Sequence, residues 1–380
     1  MKKIIALFLL CVSLFGLFSC RKNKDAEYEP VPSTAEEATT VITMRIGNST
    51  YNVRYELYRA LFLNYKSTVD GGDPSVWSGE NKAEYVAKID KMILDRATEI
   101  YAAFEVCKNI GFDVYSDDVD DQIREYVRIS VEGGIYGNSQ IQGCGSYDAY
   151  LEALKTANLN YSVQELLFRY AIAMEYIDRY YIGTVDPNDI TLNMNIGAIK
   201  YTKEDVFEFY DSDECARVLR AKLPKIVSSS PKEAAEKLKG KLEAAADSAT
   251  SLKEKEYQVY VAIAHSGRFP DTGELETGYT LGKYSEERSY YGALTDAVFS
   301  IDIGEVSDCI EVVTEYEDCY YVVYKTEKSY EHFEENYESI KYVYLANCVG
   351  QIVYSAADTL KASAEYTQFL LNINHSEISM

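Results

Sequence analysis

Apolar residues recur along this chain with two different periods, and the change from one to the other marks its elements. Ile42, Met44 and Ile46 alternate with polar neighbours up to Gly47 and Asn48, and Ser49, Tyr51 and Val53 alternate beyond them. Successive side chains of a strand face opposite ways, so two alternating runs joined by a glycine-containing pair predict a β-hairpin. A helical pattern starts at Tyr55. Further on, Ile89, Ile93, Ala97, Ile100, Phe104 and Cys107 form one apolar face of a long helix that Gly111 ends. Ser116 is placed to cap a helix carrying Val119, Ile123 and Val127, and Ser162 with Glu165 makes a capping box ahead of Leu166, Phe168, Ala171 and Ile172. The N-terminal half is therefore predicted to be helical behind a short hairpin.

The second half mixes both periods. Ser230, Pro231 and Lys232 open a helix with a capping side chain and proline at the first position. Gly278 and Gly282 mark a turn, and Leu294, Ala297 and Val298 recur at helical spacing before Phe299. Ile301, Ile303, Gly304 and Glu305 lead into Ile310 and Val312, a polar turn at 315–318, and a returning strand at 320–324 rich in aromatic and β-branched residues. Beyond Lys328, the positions Phe333, Tyr337, Ile340, Tyr344, Cys348, Ile352, Ala356 and Leu360 predict one helix, or two broken near Gly350.

The first forty residues stand apart. Lys2 and Lys3 precede an apolar run over 4–18 that falls short of the roughly 20 residues a membrane span needs, and it reads as a signal peptide. Leu17, Phe18, Ser19 and Cys20 resemble the lipobox of bacterial lipoproteins, which implies cleavage before Cys20 and acylation of that cysteine. Residues 20–40 are charged, contain proline and are poor in large apolar side chains, which predicts a disordered tether. The expected location is the extracytoplasmic face of a bacterial cell membrane, held by lipid and without a transmembrane helix.

The formal charge is −23 at pH 7, and loss of Lys2 and Lys3 with the signal takes it to −25. Such a balance repels nucleic-acid phosphates and equally opposes lying flat on anionic lipid. Apart from Cys11 and Cys20, the cysteines are Cys107, Cys144, Cys215, Cys309, Cys319 and Cys348, with no metal-type spacing. Cys309 and Cys319 fall on opposite arms of one predicted hairpin, and register is not legible enough to pair them. Tyrosine supplies 35 of the 380 residues. It offers broad amphipathic contact area for extended chains, although Tyr85, Tyr101, Tyr337 and Tyr344 sit on or beside predicted core faces. No glycine loop for phosphates, no calcium loop and no base-supported nucleophile is present in the sequence.

The succession of turn, helix and hairpin resembles the parvulin (PpiC-type) family of peptidyl-prolyl cis-trans isomerases. That family writes Gly-Gly-Asp-Leu-Gly, then Ala-Phe-x-Leu-x-x-Gly-Glu-Val-Ser, then Gly-Tyr-His-Ile. The matching pieces are Gly278 with Thr280, Leu281 and Gly282, then Val298 and Phe299 through Gly304, Glu305, Val306 and Ser307, then 318–321. Ala216, Arg217, Val218 and Leu219 fall where the family has Arg-His-Ile-Leu. The phrase over 108–117 is similar to the N-terminal region of SurA-type and PrsA-type chaperones.

The resemblance implies an α+β fold: a helical chaperone module of N- and C-terminal segments with an inserted parvulin-like domain, a small antiparallel sheet flanked by helices. The implied domains are a signal peptide over 1–19, a tether over 20–40, a helical domain over 41–210, the isomerase-like domain over 211–328 and a C-terminal helical segment over 329–380 that packs on the first domain. The inserted domain is expected to be compact around Leu219, Leu281, Phe299 and Val322.

Turning an X-Pro bond needs no nucleophile, metal or cofactor. It needs an apolar pocket that strips water from an amide whose uncatalysed barrier is about 20 kcal/mol. By resemblance Leu281 keeps the family's pocket leucine, Tyr290 takes the methionine position and Leu294 the phenylalanine position, with Val218 and Phe299 completing the substrate-binding set. Both family histidines are replaced, by Val218 and Tyr320. The implied catalytic candidates are Tyr320 and, when 266–278 aligns without gaps, Asp271. Two readings stand: an active isomerase of exported polypeptides, or a binding protein whose isomerase domain has decayed to a peptide-docking surface. In both, the partners are unfolded or proline-containing exported chains, and neither client nor oligomeric state is named by the sequence.

Overall fold

The computed structural model describes residues 28–136, 139–183, 197–268, 278–285, 288–313, 318–360 and 362–378. The fold is α+β with small antiparallel sheets, and the chain divides into two compact units, one of residues up to Ala198 and from Ile352 onward, the other of residues 199–351.

In the first unit, β1 (Thr40–Ile46) and β2 (Ser49–Arg54) form the predicted hairpin, with Ile46 opposite Ser49 and Gly47 at φ +58° in the turn. The end of the chain returns as β9 (Ser363–Tyr366), which pairs antiparallel with β1 and puts β1 in the middle of a three-stranded sheet. Among the described residues, the hairpin is followed by the α-helices α1 (Tyr55–Asp70), α2 (Lys82–Asn109), α3 (Asp117–Glu132), α4 (Tyr147–Thr156) and α5 (Tyr161–Tyr181). The predicted face of α2, from Ile89 to Cys107, is buried throughout. Two caps differ from expectation. Ser116 stands at the N-cap of α3 but its side chain makes no capping bond, and α5 is capped by Asn160, whose Oδ1 accepts from Val163 N at 2.9 Å. Ser162 falls inside α5, and its hydroxyl meets that of Ser33 at 2.8 Å.

That contact corrects the tether. Residues 1–27, with Cys20, lie outside the described residues, but from Tyr28 onward the segment is pinned to the first unit. Tyr28 donates to Glu132 at 2.9 Å, Ser33 to Glu56 at 2.5 Å and Arg59 to Glu37 at 2.7 Å. Low apolar content predicted disorder because little surface is buried, yet hydrogen bonds and ion pairs to a preformed helical frame order the segment instead. Burial disfavours the Glu37 carboxylate, but donors from Thr34, Arg59 and Asn160 overcome this and hold its pKa down at about 2. Deeper in the unit, the buried Glu99 carboxylate accepts from Arg96 at 3.0 Å, Tyr170 at 2.8 Å and Tyr354 at 3.2 Å, which ties the C-terminal segment to α2 and α5.

The second unit begins with α6 (Lys203–Asp211), closed by a reciprocal capping box between Thr202 and Asp205. Then come β5 (Cys215–Pro224), α7 (Pro231–Asp247), α8 (Leu252–Ser266), β6 (Tyr279–Gly282), α9 (Arg288–Ser300), β7 (Ile310–Val313), β8 (Asp318–Thr326), α10 (Tyr330–Glu335) and α11 (Tyr337–Thr359). The sheet order is β6-β5-β8-β7, antiparallel throughout. Its central strands are covered on both faces. Ala216, Val218, Tyr321 and Val323 pack with Leu294 and Val298 of α9, while Leu219, Ala221, Val322 and Tyr324 pack with Leu238 and Leu242 of α7 and Val259 and Ile263 of α8. Leu219 and Val322 thus belong to one core layer and Leu281 to the other.

This unit is wider than the expected 211–328, because Val206, Phe209 and Tyr210 of α6 close an apolar cluster with Phe333 and Ile340. The break in the last helical stretch falls at Asn336, not near Gly350. At Gly350 the helix is continuous, and a Cβ there would collide with the Tyr284 carbonyl. Cys309 packs toward the α7–α8 layer and Cys319 lies in the α9 layer, so the hairpin cysteines sit on opposite faces, both as free thiols. Among the described residues no helix is long and apolar enough to cross a membrane.

Candidate functional site

The segment 299–307 that carries the family resemblance runs from the end of α9 to the side of β8. Gly304 takes φ +91°, a region that favours glycine, and its N–H donates to the Lys325 carbonyl at 2.8 Å. Lys325 N returns a bond to the Glu305 carbonyl at 3.1 Å, and Val306 bridges Tyr324. Ser307 N donates to the Val323 carbonyl at 2.8 Å, while its hydroxyl accepts from Val323 N at 3.1 Å. The Glu305 carboxylate takes the Asp302 N–H at 3.1 Å. The Gly-Glu-Val-Ser wording is therefore a short extra pairing that fixes α9 over one face of the sheet.

On that face the candidate residues separate. Val218, Leu281 and Leu294 come together with Val298, each at most 2 % exposed, so they form a closed apolar wall rather than the lining of an open groove. Phe299 is half-buried at the margin, with the Lys325 ammonium 5.8 Å from its ring centre. Tyr290 belongs to α9 by its backbone, and its side chain is outside the described residues. Asp271 also lies outside the described residues.

Tyr320 is not part of this face. It stands opposite Glu311 and Leu223, donates to Glu311 at 3.3 Å, and has Lys225 over its ring at 5.5 Å. Val218 stands opposite Lys325, so the two proposed histidine positions are five residues apart in register and on opposite faces. Burial and the neighbouring Glu311 carboxylate raise the Tyr320 pKa, and Lys225 is shared between Glu311 and Asp318 at 2.6 Å each. This is a structural ion-pair network.

The residue in phase with the wall is Tyr321, 2 % exposed. Arg220 lies 3.6 Å over the Tyr279 ring and 5.8 Å from that of Tyr321, with Lys222 5.9 Å from Tyr321. Ala216, Val218, Arg220 and Lys222 share one parity on β5, so the row passes from apolar to basic along a single strand face. That parity was the available signal for Arg220, Lys222, Tyr279 and Tyr321. Chemically, the Arg220 guanidinium stacked on Tyr279 sets a planar array of N–H groups beside a water-poor wall.

Together these features define an α+β domain with a two-faced antiparallel sheet, whose residues fall in sequence between the two segments of a helical unit. No protein-family model matches the chain, and no curated protein matches it in sequence. Among solved structures, the chain is similar to the foldase protein PrsA of Streptococcus pneumoniae, with 17 % identity over 82 % of this chain and 93 % of that one, at a TM-score of 0.26. It is also similar to the foldase protein PrsA of Lactococcus lactis (12 % identity, 90 % and 100 % covered, TM-score 0.23) and to PrsA of Bacillus subtilis (16 %, 74 % and 87 %, TM-score 0.22).

Proposed function

We propose that the chain is an extracytoplasmic folding factor of the parvulin type, anchored by lipid at Cys20 and acting on unfolded or proline-containing exported polypeptides. The observation that carries the reading is the 299–307 pairing against β8, which sets α9 over an apolar wall continued by Arg220, Tyr279 and Tyr321. In this reading the partly exposed Arg220 and Tyr279, which border the buried wall, hold the X-Pro amide out of bulk water, and the Arg220 guanidinium engages the carbonyl while the bond turns. No covalent step is needed, because rotation about the C–N bond is the whole reaction.

A protease-coupled isomerisation assay on the purified chain without its first 20 residues tests it. Proline-specific turnover is expected, reduced at least tenfold in kcat/KM by Arg220→Ala and unchanged by Tyr320→Phe. A rate indistinguishable from the uncatalysed one would remove the isomerase assignment and leave peptide docking alone.

A further inference from the structure

The first unit contains a cavity of about 420 Å³ whose walls include Tyr51, Phe104, Lys108, Phe112, Asp113 and Tyr115. Its volume falls in the range of about 300–1,000 Å³ typical of specific ligand sites. The rings are supported from behind. Tyr51 stacks on Tyr101 at 4.6 Å, Phe112 stacks on Tyr176 at 3.9 Å, and Tyr115 carries the Arg169 guanidinium at 5.1 Å while meeting Phe104 edge-on at 5.9 Å. The loop that bears Phe112, Asp113 and Tyr115 is fixed as well. Buried Arg169 donates to the Val114 carbonyl at 2.7 Å and is itself held by Asp120 and Glu165, each at 2.6 Å. Walls anchored this way are preorganised, so little ordering cost falls on a ligand.

The electrostatics choose the occupant. Lys108 Nζ donates to Ser49 at 2.8 Å and lies 3.7 Å from the Glu105 carboxylate, which also accepts the Tyr51 hydroxyl at 2.7 Å. The Lys108 charge is therefore matched within the wall. Arg54 is matched by Glu56, and Arg169 is outnumbered by Asp120 and Glu165, so the carboxylate of exposed Asp113, whose Oδ1 accepts from Tyr115 N at 2.9 Å, adds to a local acidic excess in a chain of net charge −23. Ring faces carry negative potential and attract cations. A planar guanidinium meets both demands, stacking on a ring while its N–H fork donates to a carboxylate, whereas a carboxylate side chain is repelled by both.

We propose that this cavity is a side-chain subsite for arginine, and more weakly lysine, presented by an extended unfolded polypeptide. The inference rests on the reading of the chain as a binder of unfolded exported chains, but not on isomerase activity in the second unit.

The test uses fluorescein-labelled decapeptides of one uncharged sequence with Arg, Phe or Glu at the centre, titrated with the chain lacking its first 20 residues. The Arg peptide is expected to bind at least tenfold more tightly than the Glu peptide and several-fold more tightly than the Phe peptide, with the preference shrinking as salt rises. Tyr115→Leu and Asp113→Asn, both at exposed positions, are expected to weaken the Arg peptide at least fivefold while unfolding stays cooperative and the isomerisation rate stays unchanged. Equal binding of all three peptides, a preference for Phe, or Arg binding untouched by both substitutions would overturn the proposal. A missing isomerase rate with the Arg preference intact would overturn the catalytic reading and support this one.

Discussion

At His375 a single side chain links the end of the chain to pH. It is buried, its Nε2 lies 3.1 Å from the Tyr58 hydroxyl, and that hydroxyl donates to Asp90 at 2.6 Å. Burial, with a smaller contribution from Lys82, lowers the His375 pKa from 6.5 to about 4, while burial raises that of Asp90. The folded pKa of His375 lies below its unfolded value, so between pH 6.5 and about 4 the unfolded chain binds the extra proton. Its contribution is whole above pH 6.5 and is lost as pH falls through that window. His375→Gln keeps a polar partner for Tyr58 but cannot titrate. Urea unfolding of both proteins is expected to show the parent losing on the order of 3 kcal/mol more than the variant across the window; parallel pH profiles would refute it. Residue-scale reading of the sequence was strongest where parity was read in place: Val218, Leu281 and Leu294 do share one core layer. It failed at Tyr320, because a one-residue slip along a strand moves a side chain to the other face, and the run of Tyr320 and Tyr321 gives no polarity contrast to prevent the slip.

Among elements, the long apolar faces were legible and the short or polar ones were not. The α2 face over Ile89, Ile93, Ala97 and Ile100 repeats often enough to specify a helix by itself. The strand β9 is four residues long and mostly exposed, so it lacks alternation, and its partner β1 lies some three hundred positions away in sequence. The hairpin of β3 (Gly134–Tyr136) and β4 (Ser139–Ile141) is equally short. Gly350 shows the same limit from the other side. From sequence the stretch reads as one helix or two broken near Gly350; α11 passes through it, and the glycine admits the Tyr284 backbone, with Tyr284 N donating to Asn347 Oδ1 at 2.7 Å one turn earlier. Helix propensity alone makes Gly350→Ala stabilising by about 1 kcal/mol. The collision with a backbone carbonyl decides the sign the other way, and a net loss of about 1–3 kcal/mol is expected in chemical denaturation. A gain would mean that the Tyr284 turn does not approach the helix this closely.

The two compact units decide which pieces of the whole molecule can stand alone. The family resemblance covers 211–328, and that stretch contains the complete four-stranded sheet with α7, α8 and α9. It omits Val206, Phe209, Tyr210, Phe333 and Ile340, all at most 7 % exposed, which form a separate apolar cluster with Cys215 at the start of β5. It also omits Asn347, whose Oδ1 receives Tyr284 N directly after β6. Polar ties go too, since Tyr210 pairs with His332 at 2.9 Å. A domain has only about 5–15 kcal/mol to lose, so uncovering one end of its sheet is felt. Truncation uncovers Cys215 at the start of β5 and removes Asn347 from the turn after β6, so the stretch that looks complete by motif is expected to be incomplete by packing. A fragment of residues 199–351 is therefore expected to melt cooperatively with native-like near-ultraviolet dichroism, whereas a fragment of 211–328 is expected to unfold without a sharp transition. If the shorter fragment melts as cooperatively and at the same temperature as the longer one, α6 and the first half of α11 are appendages rather than parts of the second unit's core.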